Sequence, residues 1–163
     1  MFYRAASNQY ITEGQQFEIE GTVYPQNWLN LSTPEEKSAL GLVEVTDANS
    51  PEDDRFYWVS SSLDGAVRTY TNTPKDLAGL KTQWVSTTNS AAYSLLQPTD
   101  WMVTKAYETQ SPIPVNWSAW RASVRTTAAN AVTAINAAAD IPALQAAVVV
   151  TWPHDPNYVE VTA

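Results

Sequence analysis

The sequence predicts an α+β protein: a small N-terminal antiparallel sheet that includes a hairpin, with a C-terminal helical hairpin packed on it. Three observations carry this. Short β-prone runs dominate residues 1–74, as where Phe17, Ile19, Gly21 and Val23 alternate with Glu18, Glu20 and Thr22. Leu77, Leu80, Trp84, Ala91 and Leu95 then fall at helical spacing, and Trp117, Trp120, Val124, Ala128, Ala131 and Ile135 repeat that spacing downstream. Residues 1–74 are therefore expected to form a mainly β part and residues 75–163 a helical part ending in a Trp-Pro tail, together one compact unit.

In chain order, Met1 to Ala5 and Phe17 to Tyr24 have strand character, with Glu13-Gly14 as the turn between them. Pro25 ends the second strand. Gln26 to Ser32 is expected to be a packed loop that buries Trp28, Leu29 and Leu31. Thr33-Pro34-Glu35-Glu36 predicts a short helix: Thr33 caps it, Pro34 suits its first position, and the charge of Glu36 at the third suits the helix dipole. Gly41 permits the left-handed stop, and Leu42 to Val45 resumes as a strand. Asp47 to Asp54 is an acidic loop containing Pro51. Two aromatic-rich runs, Phe56 to Val59 and Val67 to Tyr70, then predict a hairpin across Leu63-Asp64-Gly65.

Thr73-Pro74-Lys75-Asp76 supplies a cap and a first-turn proline for the first long helix. That helix has to end at Gln97-Pro98, because proline lacks an amide hydrogen and restricts the residue before it. Thr99 or Asp100 can then accept amides that start the next helix, which makes a helical corner. Trp84, Trp101, Trp117 and Trp120 sit at core spacings along the two helices and are expected to anchor their seam. Asp140-Ile141-Pro142 interrupts the second helix, and Pro142 begins a shorter one through about Val148. Val148 to Thr151 favours extended backbone, and Trp152-Pro153 and Asp155-Pro156 exclude regular structure after it.

Composition narrows the function. With 163 residues the chain is long enough to bury about two thirds of its unfolded surface. Only 16% of residues are charged, while 7 Trp and 8 Tyr are present, a balance that favours a subunit of a hetero-oligomer over a free monomer. The net charge of −8 opposes a surface that tracks phosphates, so nucleic acid is not expected as a partner. Cysteine is absent, which excludes disulfides and thiolate metal sites. The longest apolar stretch, Ala143 to Val150, is interrupted by Gln145 and too short to cross a bilayer, so no membrane role is expected.

Catalytic chemistry finds little support. His154 is the only histidine and sits between Pro153 and Asp155-Pro156, so neither a histidine metal cluster nor a Ser/His/Asp triad has its usual complement. Asp47, Asn49, Glu52, Asp53 and Asp54 could wrap a hard cation, yet they lack the glycine and the ordered spacing of a calcium loop. Glu18 and Glu20 could be a glycosidase pair, but a solvated strand face explains them. No catalytic residue, cofactor or metal is expected. Trp28, Trp58 and Trp152 lie off the core spacings, beside Asn27, Asn30, Ser60, Ser61 and Thr151, and are the expected partner-binding residues: aromatic anchors with a polar rim. Stacking on a sugar is the alternative use for such tryptophans.

Two sets of landmarks resemble a known group. Leu95-Leu96-Gln97-Pro98-Thr99-Asp100-Trp101, Lys105-Ala106, Pro112-Ile113-Pro114, Trp117, Trp120-Arg121, Val124-Arg125 and Val150-Thr151-Trp152-Pro153 occur in the order found in small tailed-bacteriophage proteins of the tail-fibre assembly or tail-fibre-associated type. Tyr24-Pro25-Gln26-Asn27-Trp28-Leu29, Thr33, Glu35-Glu36-Lys37, Ala39-Leu40-Gly41-Leu42 and Val45 are similar to the opening of the same group. Residues 47–76 match it less well. The resemblance implies a non-enzymatic protein that binds a trimeric tail fibre, as an assembly chaperone in the host cytoplasm, a retained component of the virion tail, or both. The alternatives are a tail or baseplate subunit without a folding role and a carbohydrate-binding tip module.

Overall fold

The computed structural model describes residues 1–157, and the chain divides into two compact units, Met1–Thr73 and Pro74–Ala163. The class is α+β, with the sheets in the first unit and long helices in the second.

The first unit is made of short strands whose turns set their pairing. β1 (Phe2–Arg4) pairs antiparallel with β2 (Gln9–Ile11) on one side and will meet a later strand on the other. The run Phe17 to Tyr24 is two strands, not one: β3 (Phe17–Ile19) and β4 (Thr22–Tyr24) form a hairpin. Glu20 and Gly21 both have positive φ, at 52° and 81°, the pairing of conformations that closes a two-residue turn of matching twist. The reversal breaks the alternation of the sequence, so Phe17 and Ile19 are buried while Val23 is 54% exposed opposite Glu18. Tyr24 lies opposite Phe17 with the rings stacked at 5.0 Å.

The expected loop 26–32 holds a one-turn helix, α1 (Trp28–Leu31), which buries Leu29 but leaves Leu31 76% exposed. α2 (Pro34–Ala39) has the predicted cap at Thr33, and Glu36 makes it a capping box, with the Glu36 amide donating to Thr33 Oγ1 at 3.2 Å and the Thr33 amide to Glu36 Oε2 at 2.8 Å. Gly41 takes the left-handed conformation at φ 69°, and β5 (Leu42–Glu44) then completes the sheet on the free side of β1. Phe2, Ile11, Phe17, Ile19, Leu29 and Leu42 form the core of this unit.

A second sheet follows in the order β6-β8-β7. β7 (Tyr57–Asp64) and β8 (Val67–Pro74) are the predicted hairpin. Its loop is Gly65-Ala66 rather than Asp64-Gly65, with positive φ at Gly65 only, as suits glycine in the first position of such a turn. β6 (Thr46–Asp47) runs parallel to β8, an exception to the antiparallel pairing expected throughout.

In the second unit, α3 (Leu77–Leu96) is capped by Asp76, whose Oδ2 accepts from the Gly79 amide at 2.6 Å; the expected cap at Thr73 lies upstream, at the end of β8. A 3-10 turn, Gln97–Thr99, carries Pro98 and bends the chain into α4 (Asp100–Thr109). Gln110, at φ 53°, ends α4, and α5 (Val115–Ala137) follows a proline-flanked connector. α6 (Ile141–Ala147) is capped by Asp140 through the Ala143 amide at 2.8 Å. The helical hairpin of the sequence is thus α3 and α5, with α4 inserted between them. They run antiparallel: Leu96 meets Arg121 at one end, and Lys81 Nζ donates to Asn136 O at 2.9 Å at the other.

Their seam buries Ala92, Trp120, Val124 and Ala128, with Leu95, Leu96, Trp117 and Trp152 packed on them. Alanine at these positions permits close approach, and Trp120 crosses Trp117 edge to face at 5.6 Å. Trp120 is 7% exposed and its Nε1 donates to Pro153 O at 3.0 Å, which ties the tail to the seam. Trp84 and Trp117 are half-buried. Trp101 departs from the expected core: it is 57% exposed, because α4 turns away from the α3–α5 seam after the corner and none of its residues is buried. Trp120→Ala is therefore expected to cost about 3–5 kcal/mol and Trp101→Ala under about 1 kcal/mol, measured by urea unfolding of the full chain.

Candidate partner-binding surface

Proline makes the corner, and an arginine from the opposite helix holds it. Because Pro98 bends the chain, the Asp100 amide bonds Gln97 O and not Leu96 O. The Leu96 carbonyl then needs other donors. Thr99 Oγ1 supplies one at 2.8 Å and Arg121 Nη1 another at 3.0 Å. Arg121 Nη1 also donates to Thr99 Oγ1, and Nη2 to Asp100 Oδ1 at 2.7 Å. Arg121 is 4% exposed, so its charge is accepted inside the unit only because the fork of donors meets these three acceptors. Thr99 and Asp100 do not cap α4 as the sequence suggested; Thr99 makes no such bond, and Asp100 pairs with Arg121.

Held this way, α4 projects an aromatic and aliphatic surface. Trp101, Val103 and Tyr107 are exposed along it, Tyr107 at 82%, and Val115 follows at the start of α5 at 85%. Between α4 and the connector lies a cleft of about 190 Å³, lined by Trp101, Met102, Lys105 and Ala106 on the helix and by Ser111, Pro112, Ile113 and Pro114 on the other wall. Lys105 Nζ sits over the Trp101 ring at 5.7 Å. The two prolines restrict the backbone of the connector wall. The cleft has room for one large apolar side chain of a partner, beside a single cation.

Of the three tryptophans expected to bind a partner, Trp28 and Trp58 belong to the first unit and Trp152 to the second. Trp28 is half-buried against the first core, edge to face with Phe17 and Tyr24 at 5.8 and 5.0 Å. Trp152 packs on the α3–α5 seam. Trp58 on β7 is 66% exposed. The residues that do form a concave surface are Trp101, which the sequence assigned to the core, and Lys105 with Pro112 to Pro114, which stood out in the sequence for their order only. Their signal was the pair Pro112 and Pro114 so soon after Pro98, which leaves α4 only ten residues long.

The acidic segment is tied down by its neighbours. Asn49 bonds the Tyr70 backbone of β8, Asn72 of β8 bonds the backbone of Ser50 and Glu52, and Asp53 pairs with Arg55 Nη2 at 2.6 Å. That hydrogen bond and the carboxylate charge hold the Arg55 guanidinium above its ordinary pKa. Glu20 pairs with Arg4, and Glu18 faces outward from β3. Among the described residues, no group of three His, Cys, Asp or Glu is placed to hold a metal ion, and no helix is long and apolar enough to cross a membrane.

Comparison with known proteins gives no matching family model, no similar curated protein and no similar solved structure.

Arg121→Met should cost about 2–4 kcal/mol, because it leaves Leu96 O without one of its donors and removes the fork from Thr99 and Asp100; Asp100→Asn, on a half-exposed partner, should cost under about 1 kcal/mol. Chemical unfolding of both variants checks the order, and equal losses would contradict the clamp. Neither EDTA nor added calcium is expected to move the melting temperature by more than about one degree, as read by a calorimetric scan in each buffer.

Proposed function

We propose that this chain is a non-enzymatic bacteriophage tail protein that binds the tail fibre, with the cleft between α4 and the 110–114 connector as its docking surface. The observation that supports binding is the exposure of α4: a helix in the middle of a packed unit buries none of its residues and presents Trp101, Val103 and Tyr107 outward. Such apolar surface is characteristic of a partner interface. The fibre as partner rests on the ordered landmarks from Leu95 to Pro153 and from Tyr24 to Val45, which resemble tail-fibre assembly proteins.

The physics of the role is linkage. A companion that binds the folded fibre tip and not the unfolded chain stabilises the tip by mass action, and covering apolar surface keeps it from off-pathway association. Binding would begin in the host cytoplasm during assembly and continue in the virion wherever the complex is retained.

Co-expression with the fibre encoded by the same phage tests this. Soluble fibre only in the presence of the chain supports a chaperone, and recovery of the chain in purified virions supports a retained component or a tail subunit. Failure of capture, of solubilisation and of virion incorporation together would remove the fibre reading. Trp101→Ala is expected to weaken fibre capture by about 2 kcal/mol, roughly 30-fold, while the melt is unchanged. Trp152→Ala should instead lower the melt, since that ring covers the helical seam.

A further inference from the structure

β8 has two edges, and one of them is closed by side chains. On that side, β6 pairs with it only briefly: Thr46 and Asp47 lie opposite Val67 and Arg68, the Thr46 amide donates to Ala66 O at 3.0 Å and the Ala48 amide to Arg68 O at 2.8 Å. The main chain then leaves the ladder ahead of Pro51, which has no amide hydrogen to contribute. Asn49 takes over. Its Oδ1 accepts from the Tyr70 amide at 2.7 Å, and its Nδ2 donates to Tyr70 O at 2.9 Å. A carboxamide carries a carbonyl and N–H groups side by side as a peptide unit does, so one side chain meets both backbone groups of Tyr70 as a neighbouring strand would. Asn72 reciprocates, with Nδ2 donating to Ser50 O and Oδ1 accepting from the Glu52 amide, each at 3.1 Å.

A strand edge without such cover is a template for another strand. The stretch Thr69-Tyr70-Thr71-Asn72-Thr73 is uncharged and rich in β-formers, so it can pair with itself across a two-fold axis. The segment that covers it occupies the Tyr70 amide and carbonyl that such pairing needs, so covered copies do not pair there. We propose that residues 48–52 are a detachable guard over the β8 edge, held by Asn49 and Asn72, and that lifting the guard converts the chain into one that pairs with a second copy of itself through β8.

The test uses the full chain and the double variant Asn49→Ala/Asn72→Ala. Hydrogen exchange at the Tyr70 amide, read at a dilution where the chain is monomeric, should accelerate by about tenfold or more, and sedimentation equilibrium at higher concentration should show a concentration-dependent dimer that the unchanged chain lacks. Association through β7, the other edge of the sheet, is common to both proteins and cancels in the comparison. A Tyr70 amide that stays protected in the dilute, monomeric variant overturns the guard, because the cover then does not depend on the two amides. Rapid exchange at that dilution with no dimer at high concentration overturns the self-pairing, and so does a dimer whose dilute monomer exchanges no faster. If the double variant fails to fold, Asn49→Asp decides: it keeps an acceptor for the Tyr70 amide but loses the donor and sets a carboxylate against Tyr70 O. Its exchange and self-association should both exceed those of the unchanged chain, and the absence of either overturns the proposal.

Discussion

The helical unit depends on one buried guanidinium. Arg121 enters the end of the α3–α5 seam and binds the Leu96 carbonyl, the Thr99 hydroxyl and the Asp100 carboxylate in one step. A proline corner inside a packed unit creates a carbonyl without its helical donor, and an unsatisfied polar group there is costly. Arginine meets the need because its planar fork reaches several acceptors at once, which lysine cannot do in one plane. The same contact fixes how far α5 slides along α3, since Arg121 can meet Leu96 in one register only.

That register decides which aromatic residues are inside. With Arg121 at the corner, Trp120 falls into the seam above Val124, and the tail returns over it so that Pro153 O can accept the indole hydrogen. Trp101 lies just past the corner on a helix that leaves the seam, and its ring is left outside with Lys105 above it. The buried clamp and the exposed cleft are therefore consequences of one turn. The clamp holds the base of α4 rigid, which lowers the entropy that a partner would have to offset on binding there.

The first unit meets its backbone requirements differently. Its strands are mostly three residues long, too short to gain much from pairing alone, and positive φ at Asn8, at Glu20 and Gly21, and at Gly65 sets where its three hairpins reverse. Where the main chain leaves the ladder, after Ala48 and ahead of Pro51, asparagine side chains stand in for it. Both units thus satisfy a proline-interrupted backbone with side-chain donors, an arginine in one and asparagines in the other.

Local chemistry was legible in the sequence wherever it acts over a few residues. The helix cap at Thr33, the stop at Gly41, the hairpin near Gly65 and the start of α6 near Pro142 all follow from neighbours in the chain. The stripe from Trp117 to Ile135 likewise showed which face of α5 is buried, because helical periodicity requires no partner to be recognised. Local reading misplaced what depends on competition between two local answers, as at Glu20-Gly21, where alternation suggested one strand and turn geometry made two. What only the tertiary structure decided were the contacts between residues far apart in sequence: Arg121 with the corner, Asn49 with Tyr70, and the tail with Trp120. Trp101 shows the reason. Its helical spacing is the same as that of a core residue, and only the direction in which the Arg121-held corner sends α4 determines that this side chain faces water.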